Sequence, residues 1–270
     1  ELLAVMKHVR FAAMAEAFLR ETVVAWPALH SLGARDVLLG AVLPPVSVAM
    51  PVPRSGFGPR LIYVVGGEDD EGMLSTVELY DPQNASWKQL AGMTGPRSTH
   101  SCVALEGKLY AVGGCGATAH ALDTAEVYDP QADRWQPLAK MTTGRAAFGL
   151  VAAGGRVYAV GGHHRGPLES VEAYDPQLGA WAPVASMSGK RWAHTSVVLD
   201  GKIYAMGGRG GGGVSLDTVE VYNPQTDSWQ RVASMPLALQ GHAATAMGGK
   251  IYVTGGGSSQ GSTVVSSVCM

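Results

Sequence analysis

Charge is scarce in this chain. Asp, Glu, Lys and Arg make up 16% of its 270 residues, and the formal net charge is only −2. A chain so nearly neutral has no overall field to draw it to nucleic acid or to an anionic membrane surface, so any electrostatic preference must be local. Cysteine is scarcer still. Cys102, Cys115 and Cys269 are odd in number and show no CxxC or metal-finger spacing, which argues against a disulfide framework and suits free thiols in a reducing compartment. The predicted location is therefore intracellular. No apolar run reaches the about 20 residues of a membrane span: the longest candidate is interrupted by Lys7, His8, Arg10, Glu16, Arg20 and Glu21. A signal-peptide pattern is also missing. So are GxSxG, HExxH, a phosphate-binding loop and any cluster of unrepeated acids, bases or nucleophiles, and the expectation is a non-enzymatic protein with no metal or cofactor. The first residue is Glu1, and the chain is read as a piece of a longer one.

Glycine, in contrast, is abundant at 36 residues, and much of it comes in pairs. Gly66-Gly67, Gly113-Gly114, Gly161-Gly162, Gly207-Gly208 and Gly255-Gly256 follow apolar runs such as "LIYVV", "KLYAV" and "KIYVT" at steps of 47, 48, 46 and 48 residues. Tyr80-Asp81-Pro82, Tyr128-Asp129-Pro130, Tyr174-Asp175-Pro176 and Tyr222-Asn223-Pro224 keep the same step, as do Trp87, Trp135, Trp181 and Trp229. A fixed period of this length is the signature of a repeat architecture.

Each unit parses into four short strands, A to D. Glu106-Gly107, Gly154-Gly155, Asp200-Gly201 and Gly248-Gly249 are two-residue hairpin signals between strands A and B. A variable loop follows the glycine pair, then strand C runs to Asp/Asn-Pro, where proline ends it, and strand D starts at Trp. Four antiparallel strands per unit describe a propeller blade. The glycine pair is predicted to mark a sharp bend close under the next blade, and the repeated Tyr and Trp to pack blade on blade.

The double glycine, the Tyr on the next strand and the Trp beyond it, in register four times over, resemble the kelch repeat across 61–270. Upstream, Phe11, Met14, Phe18, Leu19 and Val23 fall at helical spacing, Pro27 breaks the pattern, and Arg35 to Val42 resumes it. Placed before kelch repeats, "VRFAAMAEAFL" and "ARDVLLGAV" are similar to the end of a BACK domain, as in BTB-BACK-kelch proteins. The expected organisation is a BACK-like helical segment over 1–50, a linker over 51–60 and an incomplete all-β kelch propeller over 61–270. The legible strands are B to D of a first unit, three full units, and A and B of a fifth. Val268 aligns with Val77 and Val219 of strand C, and Gly255–Met270 is expected to be poorly ordered.

The resemblance implies a protein-binding propeller that recognises substrates for a cullin-RING ubiquitin ligase. It places cullin docking and homodimerisation in a BTB domain, which this chain does not include. Actin or cytoskeletal binding is the alternative, and kelch-propeller enzymes are a third class. The compartments implied are the cytoplasm, the cytoskeleton and the nucleus.

Residues that vary between repeats are the candidates for recognition, and the B–C loops vary most. The adjoining D–A loops carry Arg97, Arg145 and Arg191, each four residues after a Met, with Leu239 in the fourth copy. One reading makes these arginines scaffold. The other makes them a ring of guanidinium groups at the propeller mouth, joined by His163, His164, Arg165 and Arg209, which favours an acidic peptide through bidentate contacts. The acidic run Glu68–Glu71 reads as a solvated loop or as a site for a basic residue of a partner. His100 and His194 are included in the substrate face. With His242 they hold one equivalent position that could form a three-histidine metal site, against which stands the apolar Phe148 that fills it in the third unit. Cys115 is a candidate redox-sensitive thiol.

Overall fold

The computed structural model describes residues 40–43, 61–118, 120–259 and 268–269. They form five antiparallel sheets, numbered here as blades 1 to 5. Blade 1 consists of β1 (Gly40–Leu43), β2 (Leu61–Asp69), β3 (Gly72–Asp81) and β4 (Ser86–Leu90). Blade 2 has β5 (Ser101–Leu105), β6 (Lys108–Val112), β7 (Ala125–Asp129) and β8 (Arg134–Pro137). Blade 3 has β9 (Gly149–Ala153), β10 (Arg156–Val160), β11 (Val171–Asp175) and β12 (Ala180–Val184). Blade 4 has β13 (Thr195–Leu199), β14 (Lys202–Met206), β15 (Val219–Asn223) and β16 (Ser228–Val232). Blade 5 has β17 (Ala243–Met247), β18 (Lys250–Thr254) and β19 (Val268–Cys269). The first strands of successive blades stand beside one another, so the blades are arranged around a common axis. Among the described residues no helix is long and apolar enough to cross a membrane.

Two expectations change at the ends of this array. Gly40–Leu43 lies in the stretch read as helix and is a strand, antiparallel to β2 with Gly40 opposite Val64 and Leu43 opposite Leu61. Pairing with an open β2 edge outweighs a local helical pattern here, because the unpaired amides of that edge gain partners. Blade 1 thereby acquires the strand A that the repeat reading lacks. At the other end Val268 is on strand C but pairs with Val253, the place that Glu220 takes opposite Ala205. This is one position along from the expected alignment with Val77 and Val219, which stand opposite Val65 and Met206; pairing with β18 sets the register there, not the local pattern. The helical reading of 1–39, the linker 51–60 and most of the segment expected to be poorly ordered lie outside the described residues.

The A–B turns form as their dipeptides predict. Glu106 and Gly107 have φ of 51° and 75°, and Asp200 and Gly201 have 50° and 71°, the left-handed pair that a tight hairpin turn requires. The glycine pairs are needed for two reasons at once. Gly207 and Gly208 have φ of 59° and 89°. A Cβ on Gly207 would meet Leu239 O at 2.6 Å, and one on Gly208 would meet His194 Cβ and Trp192 O at 2.6 Å. The pair is squeezed between its own D–A loop and the next one, and Gly208 N–H donates to Leu239 O at 2.7 Å across the blade boundary.

Tyr and Trp rings meet within each of the first four blades, Tyr meets Tyr across the boundaries, and a polar latch adds to the packing. In blade 2 the Tyr128 hydroxyl donates to Asp133 at 2.6 Å, Ala91 N–H at the end of blade 1 donates to the same oxygen at 2.9 Å, and Trp135 Nε1 donates to Ala91 O at 2.9 Å. Blade 4 repeats the latch onto blade 3 with Tyr222, Asp227, Trp229 and Ala185 at 2.7, 2.8 and 2.8 Å.

Inside each of blades 2, 3 and 4 lies a buried ion pair. Arg97–Glu126, Arg145–Glu172 and Arg191–Glu220 approach to 2.8, 2.7 and 2.8 Å with all six side chains at most 4% exposed. The guanidinium also donates to the carbonyl of the first paired glycine and to the residue opening strand C, as Arg191 does to Gly207 O at 2.9 Å and Thr218 O at 3.0 Å. The second carboxylate oxygen accepts a loop amide, as Glu220 accepts Ser188 N–H at 2.7 Å. Burial alone would raise the Glu220 pKa, but the Ser188 amide and Arg191 overcome it and hold the carboxyl below its ordinary value. It therefore stabilises the fold above the ordinary carboxylate pKa, and that contribution is lost as pH falls through the depressed value.

In blade 5 both partners change together: Leu239, 1% exposed, replaces the arginine, and Val268 stands opposite Val253 in the place that Glu220 takes opposite Ala205. A buried pair is expensive to break and cheap to replace whole. Arg191→Leu alone should cost about 3–5 kcal/mol, whereas Arg191→Leu/Glu220→Val should cost clearly less than the single change. Denaturant titration of the three proteins checks the order; a double variant as unstable as the sum of the singles would contradict it.

Candidate functional site

Because strands alternate in direction, the B–C and D–A loops gather at one end of the blades. The residue after each glycine pair forms an antiparallel bridge with the residue after the arginine position: Ser98 with Cys115, Ala146 with His163, Trp192 with Arg209 and Gln240 with Gly257. Next to them, backbone bonds run from blade to blade. Ala147 N–H donates to Thr99 O at 2.9 Å, Ala193 N–H to Ala147 O at 2.8 Å and Gly241 N–H to Ala193 O at 2.8 Å. Thr99, Ala147 and Ala193 are held at φ of 48° to 49°, a conformation that costs non-glycine residues energy. These small residues border the mouth of the propeller, and the fixed backbone beneath the loops makes this face a preformed platform. Blade 1 differs: its B–C connection is a continuous hairpin with a bulge between Val65 and Gly67, closed by Asp69, whose carboxylate accepts the Glu71 and Gly72 amides at 2.9 and 3.0 Å.

The recognition reading of the D–A arginines is corrected by their burial. Arg97, Arg145 and Arg191 are 3%, 0% and 1% exposed and ion-paired, so their guanidinium groups hold the loops from below and do not face a partner. The missed signal is the glutamate of strand C, Glu126, Glu172 and Glu220, which recurs with the arginine and is lost with it. His100, His194 and His242 are also buried, beneath the glycine pairs, where Phe148 fills the same place against Gly113. Among the described residues no three His, Cys, Asp or Glu side chains come together to hold a metal, so the three-histidine site does not form.

Four of the predicted residues remain on the mouth. His163 and Arg209 come together around Trp192, a residue that the sequence reading passed over. The Arg209 guanidinium lies over the Trp192 ring, 5.3 Å from its centroid, and the His163 ring meets Trp192 edge-on at 5.4 Å. Arg209 Nε donates to Gly213 O at 2.9 Å, and among the described residues no carboxylate pairs with it. The side chain is thus held along one edge by a carbonyl and over an aromatic face by cation–π attraction, and a guanidinium can take a carboxylate. Trp192 stands where the other copies have Ser98, Ala146 and Gln240, and this departure within the repeat is the signal that would have found it. His164 and Arg165 lie in the neighbouring turn, with Arg165 exposed at φ 51°. The cysteines divide: burial pushes the Cys102 thiol up to about 12, and Cys115 is partly exposed with Thr99 Oγ1 at 3.5 Å from its sulfur.

Burial, with Arg191 and His242 nearby, holds the His194 pKa well below its ordinary value. A histidine forced neutral in the fold contributes stability that is complete above its unfolded pKa of about 6.5 and is lost as pH falls toward the folded value. His194→Phe, copying Phe148, should flatten the stability profile below that pH by up to about 1.4 kcal/mol per pH unit. Urea titrations at a series of pH values check this, and an unchanged slope would contradict it.

Comparison with known proteins gives the same picture. The model of the KLHDC2/KLHL20/DRC7 Kelch-repeats domain matches residues 41–208, and that of the Kelch motif matches 193–236. The chain is similar to Kelch-like protein 33 of Homo sapiens, 36% identical over 61 residues, which are 23% of this chain and 11% of that protein. It is also similar to Kelch-like ECH-associated protein 1A of Danio rerio, 31% identical over 112 residues, 41% of this chain and 18% of that one. A third relative is the influenza virus NS1A-binding protein homolog of Mus musculus, 39% identical over 83 residues, covering 29% and 12%. The match thus spans under a fifth of the length of these relatives. Among solved structures, YjhT shares the fold with a TM-score of 0.68 at 16% identity, covering 77% of this chain and 78% of that one. With a family model matched over more than half its length, on a structure of four-stranded blades joined at paired glycines, this chain belongs to the kelch-repeat family.

Proposed function

We propose that this chain is a protein-binding module that recognises its partner on the B–C and D–A loop face, centred on Trp192, Arg209 and His163. The single observation that carries the reading is the stacked, carboxylate-free Arg209 on Trp192. Aromatic and arginine side chains held rigid on a surface lose little freedom on binding, and they dominate the energetics of interfaces. The unpaired guanidinium favours an acidic peptide segment. Two relatives carry names that state protein association, with a viral NS1A protein in one and with ECH in the other, and kelch-like proteins recur among the relatives. On that similarity the longer protein is proposed to act as a cullin-RING ubiquitin ligase adaptor, with this face selecting the substrate.

Trp192→Ala and Arg209→Ala, tested in the longer protein by affinity capture from extract, should each weaken partner binding by about 2 kcal/mol or more, roughly thirtyfold, at unchanged circular dichroism. The captured partner should accumulate when the proteasome is inhibited. Capture undiminished by both substitutions would overturn the placement of the site; a captured partner whose level ignores proteasome inhibition would overturn the adaptor role and leave the binding site standing.

A further inference from the structure

The polar latch described for blades 2 and 4 is incomplete in blade 3. The position of Asp133 and Asp227, five residues after the strand C tyrosine, is Gly179. Gly179 has the left-handed φ of its counterparts, 65° against 44° for Asp133 and 46° for Asp227, and a Cβ built on it meets nothing within 4 Å. The donors of the latch are all retained. Tyr174 and Trp181 stack at 5.3 Å, against 5.2 Å for Tyr128–Trp135 and 5.1 Å for Tyr222–Trp229. Tyr110–Tyr174 across the boundary is 6.1 Å, between the 6.3 Å and 5.8 Å of the equivalent pairs. Ala139 ends strand D of blade 2 as Ala91 and Ala185 end theirs. Trp181 Nε1 is buried and meets no protein acceptor among the described residues.

Three donors, the Tyr174 hydroxyl, Ala139 N–H and Trp181 Nε1, therefore border the open side of Gly179 with no side-chain acceptor supplied from within the chain. Two of them, the tyrosine hydroxyl and the alanine N–H, fix a carboxylate in the two sister sites, where the Trp Nε1 donates to the alanine carbonyl. Trp181 Nε1, without such an acceptor, is a further open donor here. Asp227 shows that no cation is required: the Ala185 amide and the Tyr222 hydroxyl hold its carboxyl below the ordinary range. The nearby Asp175 is no obstacle, because its oxygens already accept the Gln177 and Leu178 amides and pair with Arg156 at 2.9 Å, and blade 2 has Asp129 in the same place beside Asp133. Lys140, next to Ala139, is engaged with Asp123 at 3.2 Å. Immediately before Gly179, Leu178 is 76% exposed.

We propose that the blade 2–blade 3 boundary at Gly179 is a second binding site, which takes a carboxylate in trans where its sister sites use Asp133 and Asp227. A free small carboxylate would leave Leu178 bare, so the occupant is the Asp or Glu side chain of a protein segment that also covers Leu178. The site lies on the C–D turn face, opposite the Trp192–Arg209 mouth, and is independent of it.

The full 270-residue chain, labelled with nitrogen-15, tests this with sodium acetate and a capped Leu-Asp-Leu peptide as probes and sodium chloride as control. The Trp181 indole and Ala139 amide resonances should shift saturably with acetate, on the order of millimolar, and not with chloride. The peptide should bind about tenfold or more tightly than acetate, since covering an exposed leucine is worth about 1.5 kcal/mol or more. Gly179→Asp, which supplies the carboxylate in cis, should abolish both responses and raise the unfolding temperature, while Gly179→Ala, matching Ala85 of blade 1 at φ 48°, should retain them. Equal response to acetate and chloride, or a response surviving Gly179→Asp, would overturn the site; a peptide no tighter than acetate would overturn the protein segment as its occupant.

Discussion

A guanidinium removed from water must find acceptors for its N–H groups, and in this fold those acceptors determine the shape of a blade. Arg97, Arg145 and Arg191 each bring together a loop, the end of strand B, the start of strand C and a glutamate on strand C. The carbonyl they reach belongs to the first glycine of the pair, which is presented only because the backbone turns through positive φ there. The ion pair and the double glycine are thus one device. A side chain on the glycine would push the D–A loop away, and without the loop the glutamate would be a buried charge with no partner.

The functional face follows from that device. Once the arginine holds the D–A loop from beneath, the residue after it is bridged to the residue after the glycine pair, and these two positions differ in residue from unit to unit. In two of the four pairs, Ser98–Cys115 and Gln240–Gly257, they carry neither an aromatic ring nor a guanidinium group. Between blades 3 and 4 they carry Trp192 and Arg209, with His163 contributed by the blade before. A rigid scaffold that repeats its support and varies its outer residues can change specificity without changing stability.

The repeats also serve as internal controls. Where Leu239 replaces the arginine, the residue in the glutamate register of strand C is Val268, so the chain itself shows a pair exchanged as a unit. Where Gly179 replaces the aspartate, the aromatic frame keeps its spacing and the donors remain. Blade packing therefore rests on the aromatic contacts, with the polar latch added to them.

The sequence by itself determined the period, the strands of 61–259, the hairpin turns and the glycine bends, because these depend on local features: alternation, left-handed turn residues and close approach that only glycine allows. Val268 could be placed on strand C as well, though one position away from its actual register. What tertiary structure decided was direction and partnership. Arg97, Arg145 and Arg191 look like a recognition ring in sequence, since a repeated cation near a loop has the same pattern whether it points out or in; only folding shows that a glutamate 27 to 29 residues later waits beneath the loop. Gly40–Leu43 becomes a strand because β2 offers an edge some twenty residues away in the chain, which no local window contains. Trp192, His163 and Arg209 come from separate loops, and their stack exists only because two blades place those loops side by side.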